Sequence, residues 1–162
     1  MVKRSLMSIG FLLALFLVGC GQSEVSKDLV DYINNKLPEL AKVETDAVRD
    51  YESVSGKNFK NDEIMYNKLQ DSVIPKYRDF VGKLEAIKPA TKELQAVHEI
   101  YIQAANKQYS AFVQMSDALE KQDAGLLAQA NDKLAEGRKG IRQWQTEIEA
   151  LAKKNNVTFQ QK

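Results

Sequence analysis

The sequence predicts an all-α fold, an antiparallel four-helix bundle whose helices run up-down-up-down. Apolar residues recur at alternating spacings of three and four along most of the chain, which is typical of helices with one buried stripe. Glycine and proline are sparse, with 8 and 3 copies in 162 residues, and no strand-like alternation of any length is present. Roughly 135 residues carry this pattern, which is enough for one domain with its own core.

The first predicted helix covers about residues 27–55. Ser26 is placed to act as its N-cap, and Ser55 followed by Gly56 is a stop signal. Pro38 lies inside the pattern, but the apolar phase continues across it, so we expect a kink rather than two separate helices. The stripe comprises Ile33, Leu37, Leu40, Glu44, Ala47, Tyr51 and Val54.

The second predicted helix covers about residues 62–87, with Asn61 as its N-cap. The step from Val73 to Tyr77 adds one residue to the alternation of three and four, and Pro75 lies inside that step. We therefore expect a local change of winding beside a proline kink. Pro89 ends the helix, because the residue before a proline avoids helical geometry.

The third and fourth predicted helices begin after the N-caps Thr91 and Asp123, and they end near residues 121 and 155. The tail from Asn156 is expected to fray. Loops of a few residues force neighbouring helices to run antiparallel. A pair of helical hairpins with a looser core, or a dimer, is the alternative arrangement. The two stripes comprise Leu94, His98, Tyr101, Ala105, Gln108, Phe112, Met115 and Leu119, and then Leu127, Ala130, Leu134, Gly137, Ile141, Trp144, Ile148 and Leu151.

The first nineteen residues have a different character. Lys3 and Arg4 precede an apolar run over residues 9–19 that contains no charge. Eleven helical residues rise only about 16 Å, roughly half the hydrocarbon core of a bilayer, so the run is too short to span a membrane. A charged start, a short apolar middle and a small residue at the end are the layout of a secretory signal peptide.

The only cysteine of the chain follows that run directly, in Leu17-Val18-Gly19-Cys20. This tetrapeptide resembles the lipobox of bacterial lipoproteins, and the whole chain is similar to the small all-helical lipoproteins that bacteria export. The resemblance implies a diacylglycerol on Cys20, cleavage after Gly19, and a location on the extracytoplasmic face of the cell membrane. We favour the Gram-positive envelope. The resulting divisions are a signal peptide over 1–19, a lipidated tether over 20–26, a helical bundle over 27–156 and a tail over 157–162.

The charge of the chain is nearly balanced. The net charge of +1 includes Lys3 and Arg4, and without them 21 basic and 22 acidic residues remain, a net charge of −1. This balance argues against nucleic acid as a partner and against a general attraction to anionic lipid. Since the single cysteine is the lipidation site, no disulfide is expected and stability must come from packing.

Helical bundles often carry metal or haem, but the sequence lacks the residue patterns that such sites require. A di-iron bundle requires Glu-x-x-His pairs, but Gln95 stands three residues before His98, the only histidine. Covalent haem requires Cys-x-x-Cys-His, which is absent. Met65 and Met115 are expected toward the other end of the bundle from His98, which argues against haem held by His and Met. We therefore expect no metal, no cofactor and no catalytic residues.

Two of the polar residues on the predicted stripes, His98 and Glu44, are candidates for a ligand pocket. His98 is expected near Trp144, and we favour a structural histidine bonded to a hydroxyl such as Tyr77 or to a backbone group; a ligand-binding or pH-sensing role is the alternative. Glu44 is expected near Arg138, which would be its ion-pair partner in the core. We favour instead an outward turn of Glu44 at the kink after Pro38, because charged residues usually stay solvated.

Two functions follow from these expectations. The first is a non-enzymatic, membrane-tethered helical module that binds an envelope protein or peptide, with an exposed patch or groove along a helix pair. The second is a lipoprotein that binds a small ligand or metal in a pocket lined by His98, Trp144, Tyr77 and Glu44. The sequence does not determine the partner, the ligand or the oligomeric state.

Overall fold

The protein is all-α over nearly all of the chain that the structure describes. The computed structural model describes the backbone of residues 13–17 and 23–161 and the side chains of residues 23–158. Cys20, and with it the expected cleavage and lipidation site, lies outside the described residues. Four long helical segments follow one another, joined by short loops. None of the described helices is both long enough and apolar enough to cross a membrane.

The first helical segment consists of α1 (Glu24–Asp31), a π-helical stretch (Tyr32–Lys36) and α2 (Leu37–Glu52). The helix continues through Pro38 as predicted, because the wider π turn directly precedes the proline and accommodates its ring. The N-cap is Ser23 rather than Ser26: its side chain accepts a hydrogen bond from the Ser26 backbone N–H. Gly56, after the segment, has a φ of 56°, a conformation that glycine adopts easily.

The second helical segment has the same three-part construction, with α3 (Asp62–Lys68), a π-helical stretch (Leu69–Val73) and α4 (Ile74–Ala86). The predicted change of winding before Pro75 is confirmed, because the π turn holds the extra residue between Val73 and Tyr77 in the apolar pattern. The predicted N-cap is also confirmed, since the Asn61 side chain accepts a hydrogen bond from the Ile64 backbone N–H.

The third and fourth segments, α5 (Lys92–Lys121) and α6 (Ala124–Lys154), are uninterrupted. Asp123 caps α6 as predicted, accepting a hydrogen bond from the Leu126 backbone N–H. Thr91 occupies the N-cap position of α5, but its side chain makes no capping bond, because its hydroxyl donates to the Asp28 carboxylate instead. Gln122 turns the chain between the two helices with a left-handed φ of 53°.

Two glycines of α6 allow α5 and α6 to approach closely. A Cβ on Gly137 would lie 2.5 Å from the Gln108 side chain and 3.0 Å from its backbone nitrogen, and a Cβ on Gly140 would lie 2.7 Å from the Ala104 methyl group. Gly137 therefore marks a point of close helix packing rather than a cavity.

Side-chain contacts give the direction of each segment relative to the next. Lys107 of α5 pairs with Glu136 of α6, and Lys133 farther back along α6 reaches Gln114 farther forward along α5, so the two helices run antiparallel. Ser72 and Tyr77 in the second segment contact Asp50 and Glu44 in the first in the same antiparallel sense. One core is shared by the four segments. Its largest fully buried side chains are Tyr32, Tyr77, Phe80, Phe112, Leu29, Leu69, Leu84, Leu94, Met115, Ile141, Ile148 and Val73.

Two short strands complete the described chain. Strand β1 (Leu13–Leu17), inside the predicted signal peptide, pairs antiparallel with β2 (Val157–Gln161), and Leu13 faces Gln161 in the register. In the full chain, residues 157–161 therefore form a strand where the sequence predicted a frayed tail, and this pairing depends on β1, which lies in the segment expected to be cleaved. Pairing with β1 satisfies the backbone groups of β2, and the Val157 side chain is buried.

Four helix termini meet at the end of the molecule where α1 begins. The Asp28 carboxylate accepts hydrogen bonds from the backbone N–H groups of Ala90 and Thr91, at the start of α5. The Ser26 hydroxyl donates to the carbonyl of Asn155, at the end of α6, over 3.0 Å. These bonds hold the start of α1 against the loop after α4 and the last turn of α6.

Candidate functional site

A connected group of polar and aromatic side chains lies inside the helical core and contains all four predicted pocket residues. We call it the interior polar cluster. It draws on all four helical segments, and each of its residues is at most 9% exposed. The interior polar cluster comprises Tyr32, Glu44, Tyr77, His98, Tyr101 and Trp144.

Glu44 lies at the centre of this cluster, fully inside the core. The Tyr101 hydroxyl donates to Oε2 over 2.6 Å, and the Tyr77 hydroxyl donates to Oε1 over 3.3 Å. The expected outward turn of Glu44 is therefore wrong. The π turn before Pro38 keeps α2 in phase with its apolar stripe, and the two phenol hydroxyls take the place of water around the carboxyl group.

The alternative interpretation of Glu44, an ion pair with Arg138 in the core, is also wrong. Among the described residues, no ion pair involves either side chain. Arg138 is exposed, and its guanidinium carbon lies 6.0 Å from the centre of the Tyr51 ring, within cation–π range. The carboxyl group of Glu44 thus has phenol donors and no cationic partner.

Burial raises the pKa of Glu44 above its usual value, and the hydrogen bonds from Tyr101 and Tyr77 oppose that shift only in part. The pKa values of Tyr77 and Tyr101 are raised well above the usual phenol value, first by burial and then by the neighbouring Glu44 charge. Both phenols therefore stay protonated as donors. In this buried environment each charge is costly.

His98 is bonded to a tyrosine hydroxyl, as the favoured structural interpretation predicts, but the tyrosine is Tyr32 rather than Tyr77. The Tyr32 hydroxyl and His98 Nδ1 are 2.8 Å apart, and the two rings meet edge to face. Burial raises the pKa of Tyr32 above its usual value, so its hydroxyl stays protonated. We assign that hydroxyl as the donor to Nδ1, which leaves the ring proton of neutral His98 on Nε2.

Burial lowers the pKa of His98 below its usual value, and the nearby backbone carbonyls of Leu84 and Ile87 oppose the shift. His98 Nε2 nevertheless lacks a partner with hydrogen-bond geometry. His98 is therefore neutral near pH 7 and has one polar atom unsatisfied.

Trp144 stacks on Tyr101, with ring centroids 4.1 Å apart and an angle of 18° between the ring planes. Its Nε1 is buried and also lacks a hydrogen-bond partner. The Tyr32 hydroxyl is the nearby polar group, since interaction with Trp144 works against the rise in the Tyr32 pKa. Neither ring nitrogen has a partner in hydrogen-bond geometry, but each lies beside a polar group, the Tyr32 hydroxyl for Trp144 and the Leu84 and Ile87 carbonyls for His98.

Further aromatic rings close the cluster on the side away from His98. Phe80 packs against Tyr77 and Tyr101, and Phe112 packs against Tyr77 and Tyr51, with ring centroids 5.0 to 5.8 Å apart. These rings belong to the core, as the sequence predicts for the aromatic residues.

Sequence reasoning brought together four of the six residues and missed two as site residues. Tyr101 was on the predicted third stripe, and its hydroxyl was the available signal, since buried tyrosines usually bond a polar partner. Tyr32 lies one position before the predicted first stripe and faces inward because the π turn begins there. No periodic signal in the sequence marks it.

A separate surface groove of about 800 Å³ lies between α5 and α6. It is lined by residues including Ile100, Lys107, Lys133, Lys139 and Gly140, and by none of the four predicted pocket residues. Among the residues that the structure describes, no group of three or more His, Cys, Asp or Glu side chains is arranged to hold a metal ion.

Comparison with known proteins yields no relative: no family model, no curated protein and no solved structure matches this chain.

Proposed function

We propose that this chain is a bacterial lipoprotein, held by lipid on Cys20 at the extracytoplasmic face of the cell membrane, and that its helices form a non-enzymatic binding module for an envelope protein or peptide. The arrangement we propose for the helices is a closed up-down-up-down bundle. In its support, neighbouring segments run antiparallel, while Tyr32 and His98 join the first and third segments across the core.

The observation that carries the proposal is the position of the single cysteine. Cys20 follows the apolar run and the small residue Gly19, and the first capped helix begins only three residues later, after Ser23. Three residues extend at most about 11 Å, so a lipid on Cys20 would hold the helices directly at the bilayer surface. Two acyl chains are sufficient for a stable anchor.

The interior of the helical part supports a binding role rather than a chemical one. The hydroxyl groups of Tyr77 and Tyr101 are committed to Glu44, and that of Tyr32 is committed to His98. These bonds connect different helical segments, which is how buried polar groups fix the register of a bundle. A module of this kind presents its partner with a rigid outer surface.

Lipidation is tested by intact mass and membrane fractionation of the wild-type chain and Cys20→Ser, produced in a bacterium with lipoprotein-processing enzymes. The wild type is expected in the membrane fraction, without residues 1–19 and with the added mass of a diacylglycerol. Cys20→Ser is expected to keep its leader and gain no lipid. As a matched control, Cys20→Ser combined with Glu24→Cys restores a cysteine outside the tetrapeptide and should also remain unmodified. Wild-type protein without an acyl group would contradict the proposal.

A second candidate function is binding of a small ligand at the interior polar cluster. The observation that favours it is the pair of buried ring nitrogens on His98 and Trp144 that have no hydrogen-bond partner. Unsatisfied buried groups of this kind are costly, and a bound molecule that accepts hydrogen bonds would remove that cost.

Thermal melting of the wild-type chain and His98→Ala, with metals, haem and envelope metabolites at pH of about 5.5 and 7.5, tests this second candidate. Val97→Ala, a truncation of the adjacent buried residue, is the control for a general loss of packing. Ligand binding predicts a melting shift that His98→Ala loses and Val97→Ala keeps. Equal behaviour of both variants with every compound would leave His98 a structural residue.

A further inference from the structure

Charge is distributed unevenly between the two ends of the molecule. At the end where α1 begins, the described chain has five exposed lysines, on the first turns of α1 and α5, in the loop after α4 and on the last turn of α6. The same end has three carboxylates, Glu24, Asp28 and Glu93. The Asp28 carboxylate already accepts hydrogen bonds from Ala90 and Thr91. The five lysines, which we call the basic end, are Lys27, Lys88, Lys92, Lys153 and Lys154.

The opposite end has the reverse balance. There, four exposed cationic side chains stand against five exposed carboxylates in the last turns of α2 and α5, the two loops and the first turn of α3. The near-neutral total charge of the chain therefore conceals two ends of opposite sign. The charged residues of this acidic end are Arg49, Lys57, Lys60 and Lys121, and Glu52, Asp62, Glu63, Glu120 and Asp123.

Specific bonds hold the basic end together as one face. Asp28 joins α1 to the start of α5, and Ser26 joins α1 to the end of α6. The Lys88 ammonium group donates to the carbonyl of Glu85 over 2.9 Å and so stays beside the end of α4. Since packed helices lie about 8–10 Å apart, the five lysines share a surface about 20 Å across.

The basic end is also the end that carries the anchor. Ser23 lies beside Asn155, and its hydroxyl donates to the Asn155 side chain over 3.1 Å. Because at most about 11 Å of chain separates Ser23 from Cys20, the anchor holds this face within about one Debye length of the headgroups. Basic clusters at that distance are attracted to anionic phospholipids.

We propose that the basic end is a membrane-contact face that rests on anionic phospholipid headgroups, with the acidic end directed away from the bilayer. The inference relies on the proposed lipid anchor at Cys20. It also revises the sequence-based argument against attraction to anionic lipid, which considered only the net charge of −1. Charge repulsion of the acidic end and attraction of the basic end favour the same upright orientation.

The test uses the mature lipidated chain on two kinds of vesicle, one of phosphatidylcholine alone and one with about one third phosphatidylglycerol. Lysines are acetylated briefly, and the extent at each position is read by peptide mass spectrometry. We expect the basic end to react about threefold or more slowly on the anionic vesicles, and we expect about 0.5 M salt to abolish that protection. Lys57, Lys60 and Lys121, at the acidic end, serve as internal controls whose rates should not differ between the vesicles.

A matched pair of variants checks the cause. Lys153→Gln with Lys154→Gln should weaken the protection of Lys88 and Lys92, whereas Lys57→Gln with Lys60→Gln should not. Equal reactivity of the basic end on both vesicles, with the lipidated protein bound to both, would overturn the inference and leave the anchor intact. A chain that lacks the acyl mass and floats with neither vesicle would instead overturn the proposed function.

Discussion

The first two helical segments and the last two form hairpins of different construction. Each segment of the first hairpin changes winding once, through a π turn directly before a proline. The second hairpin consists of two uninterrupted helices of 30 and 31 residues, brought together by Gly137 and Gly140. In the first hairpin, π turns change the backbone so that particular side chains face the core. In the second hairpin, glycines replace larger residues and allow the two helix backbones to approach closely.

The difference explains where the polar residues of the core are found. A proline ring clashes with the carbonyl four residues earlier, which belongs to Asn34 for Pro38 and to Asp71 for Pro75, and both residues lie inside the π turns. The additional residue in each turn keeps the apolar phase on both sides. Tyr32, Glu44 and Tyr77 thereby face inward from the interrupted segments. The uninterrupted segments add His98, Tyr101 and Trp144 from their regular stripes.

The largest expected effect comes from removing one residue from each type of helix. Deletion of exposed Asp71, combined with Pro75→Ala, converts the π turn to α-helix and preserves the phase on both sides. The chain should therefore keep cooperative urea unfolding, at a cost of a few kcal/mol. Deletion of exposed Asp132 in α6 instead rotates one part of its stripe by about 100° and should abolish cooperative unfolding. Far-UV circular dichroism during urea titration distinguishes the two, and comparable loss in both would contradict the comparison.

The next effect tests the close approach of the second hairpin. Gly137→Ala should lower the free energy of unfolding by about 2–3 kcal/mol, because the new methyl group overlaps Gln108, including its backbone nitrogen. Gly82→Ala is the matched control: Gly82 is helical and exposed, and no heavy atom lies within 4 Å of the added Cβ. That change should raise stability by about 0.5–1 kcal/mol through higher helix propensity. Urea unfolding measures the free energy of unfolding of both variants. A change of the same sign in both would argue against close packing at Gly137.

A smaller effect is expected at the polar contacts between segments. Tyr101→Phe removes the 2.6 Å donor to buried Glu44 and should cost about 2 kcal/mol, whereas Tyr77→Phe removes only a 3.3 Å donor and should cost about 1 kcal/mol or less. Tyr109→Phe, at a half-buried position of the same helix as Tyr101, should change stability by less than about 0.5 kcal/mol. If chemical denaturation ranks Tyr77→Phe as the more damaging change, the role assigned to Tyr101 is wrong.

The smallest expected effect is a pH dependence arising from Glu44. Because its pKa is higher in the folded protein than in the unfolded chain, Glu44 stabilises the fold below the usual carboxyl pKa of about 4.3. This contribution is lost as the pH rises through the folded pKa. Glu44→Gln cannot ionise, so the stability of the wild type relative to this variant should decrease as the pH rises from about 4. Denaturation curves for both proteins across that range measure the difference in their free energies of unfolding. If the pKa of Glu44 is unshifted, this difference will not change with pH.

The parts of the fold that depend on local pattern were predictable from the sequence. The four helical segments, the change of winding before Pro75 and the caps Asn61 and Asp123 all follow from spacing and residue type within a few positions. Thr91 shows the limit of such reasoning. It occupies the cap position, but its hydroxyl bonds Asp28, a residue far away in sequence.

The sequence predicted which residues lie in the site, but not which hydrogen bonds join them. His98, Trp144, Tyr77 and Glu44 do lie in one interior cluster, since all four were on predicted apolar stripes, although Glu44 was expected at the level of Arg138 rather than of Trp144. The orientation of Glu44 was wrong because a general preference for solvent does not count two distant phenols as partners. The hydroxyl partner predicted for His98 is present, but it belongs to Tyr32 rather than to the example Tyr77, because the first π turn brings Tyr32 inward and leaves little trace in the spacing of apolar residues.

The bonds around the start of α1 have a mechanical consequence. A pull applied at Ser23 does not meet a helix end that can unwind alone, because Asp28 transfers load to the start of α5 and Ser26 transfers it to the end of α6. The force is divided over three helix ends within the first two turns of α1. When the chain is pulled at Ser23, the unwinding of α1 therefore requires several lateral bonds to break together rather than one helical turn after another.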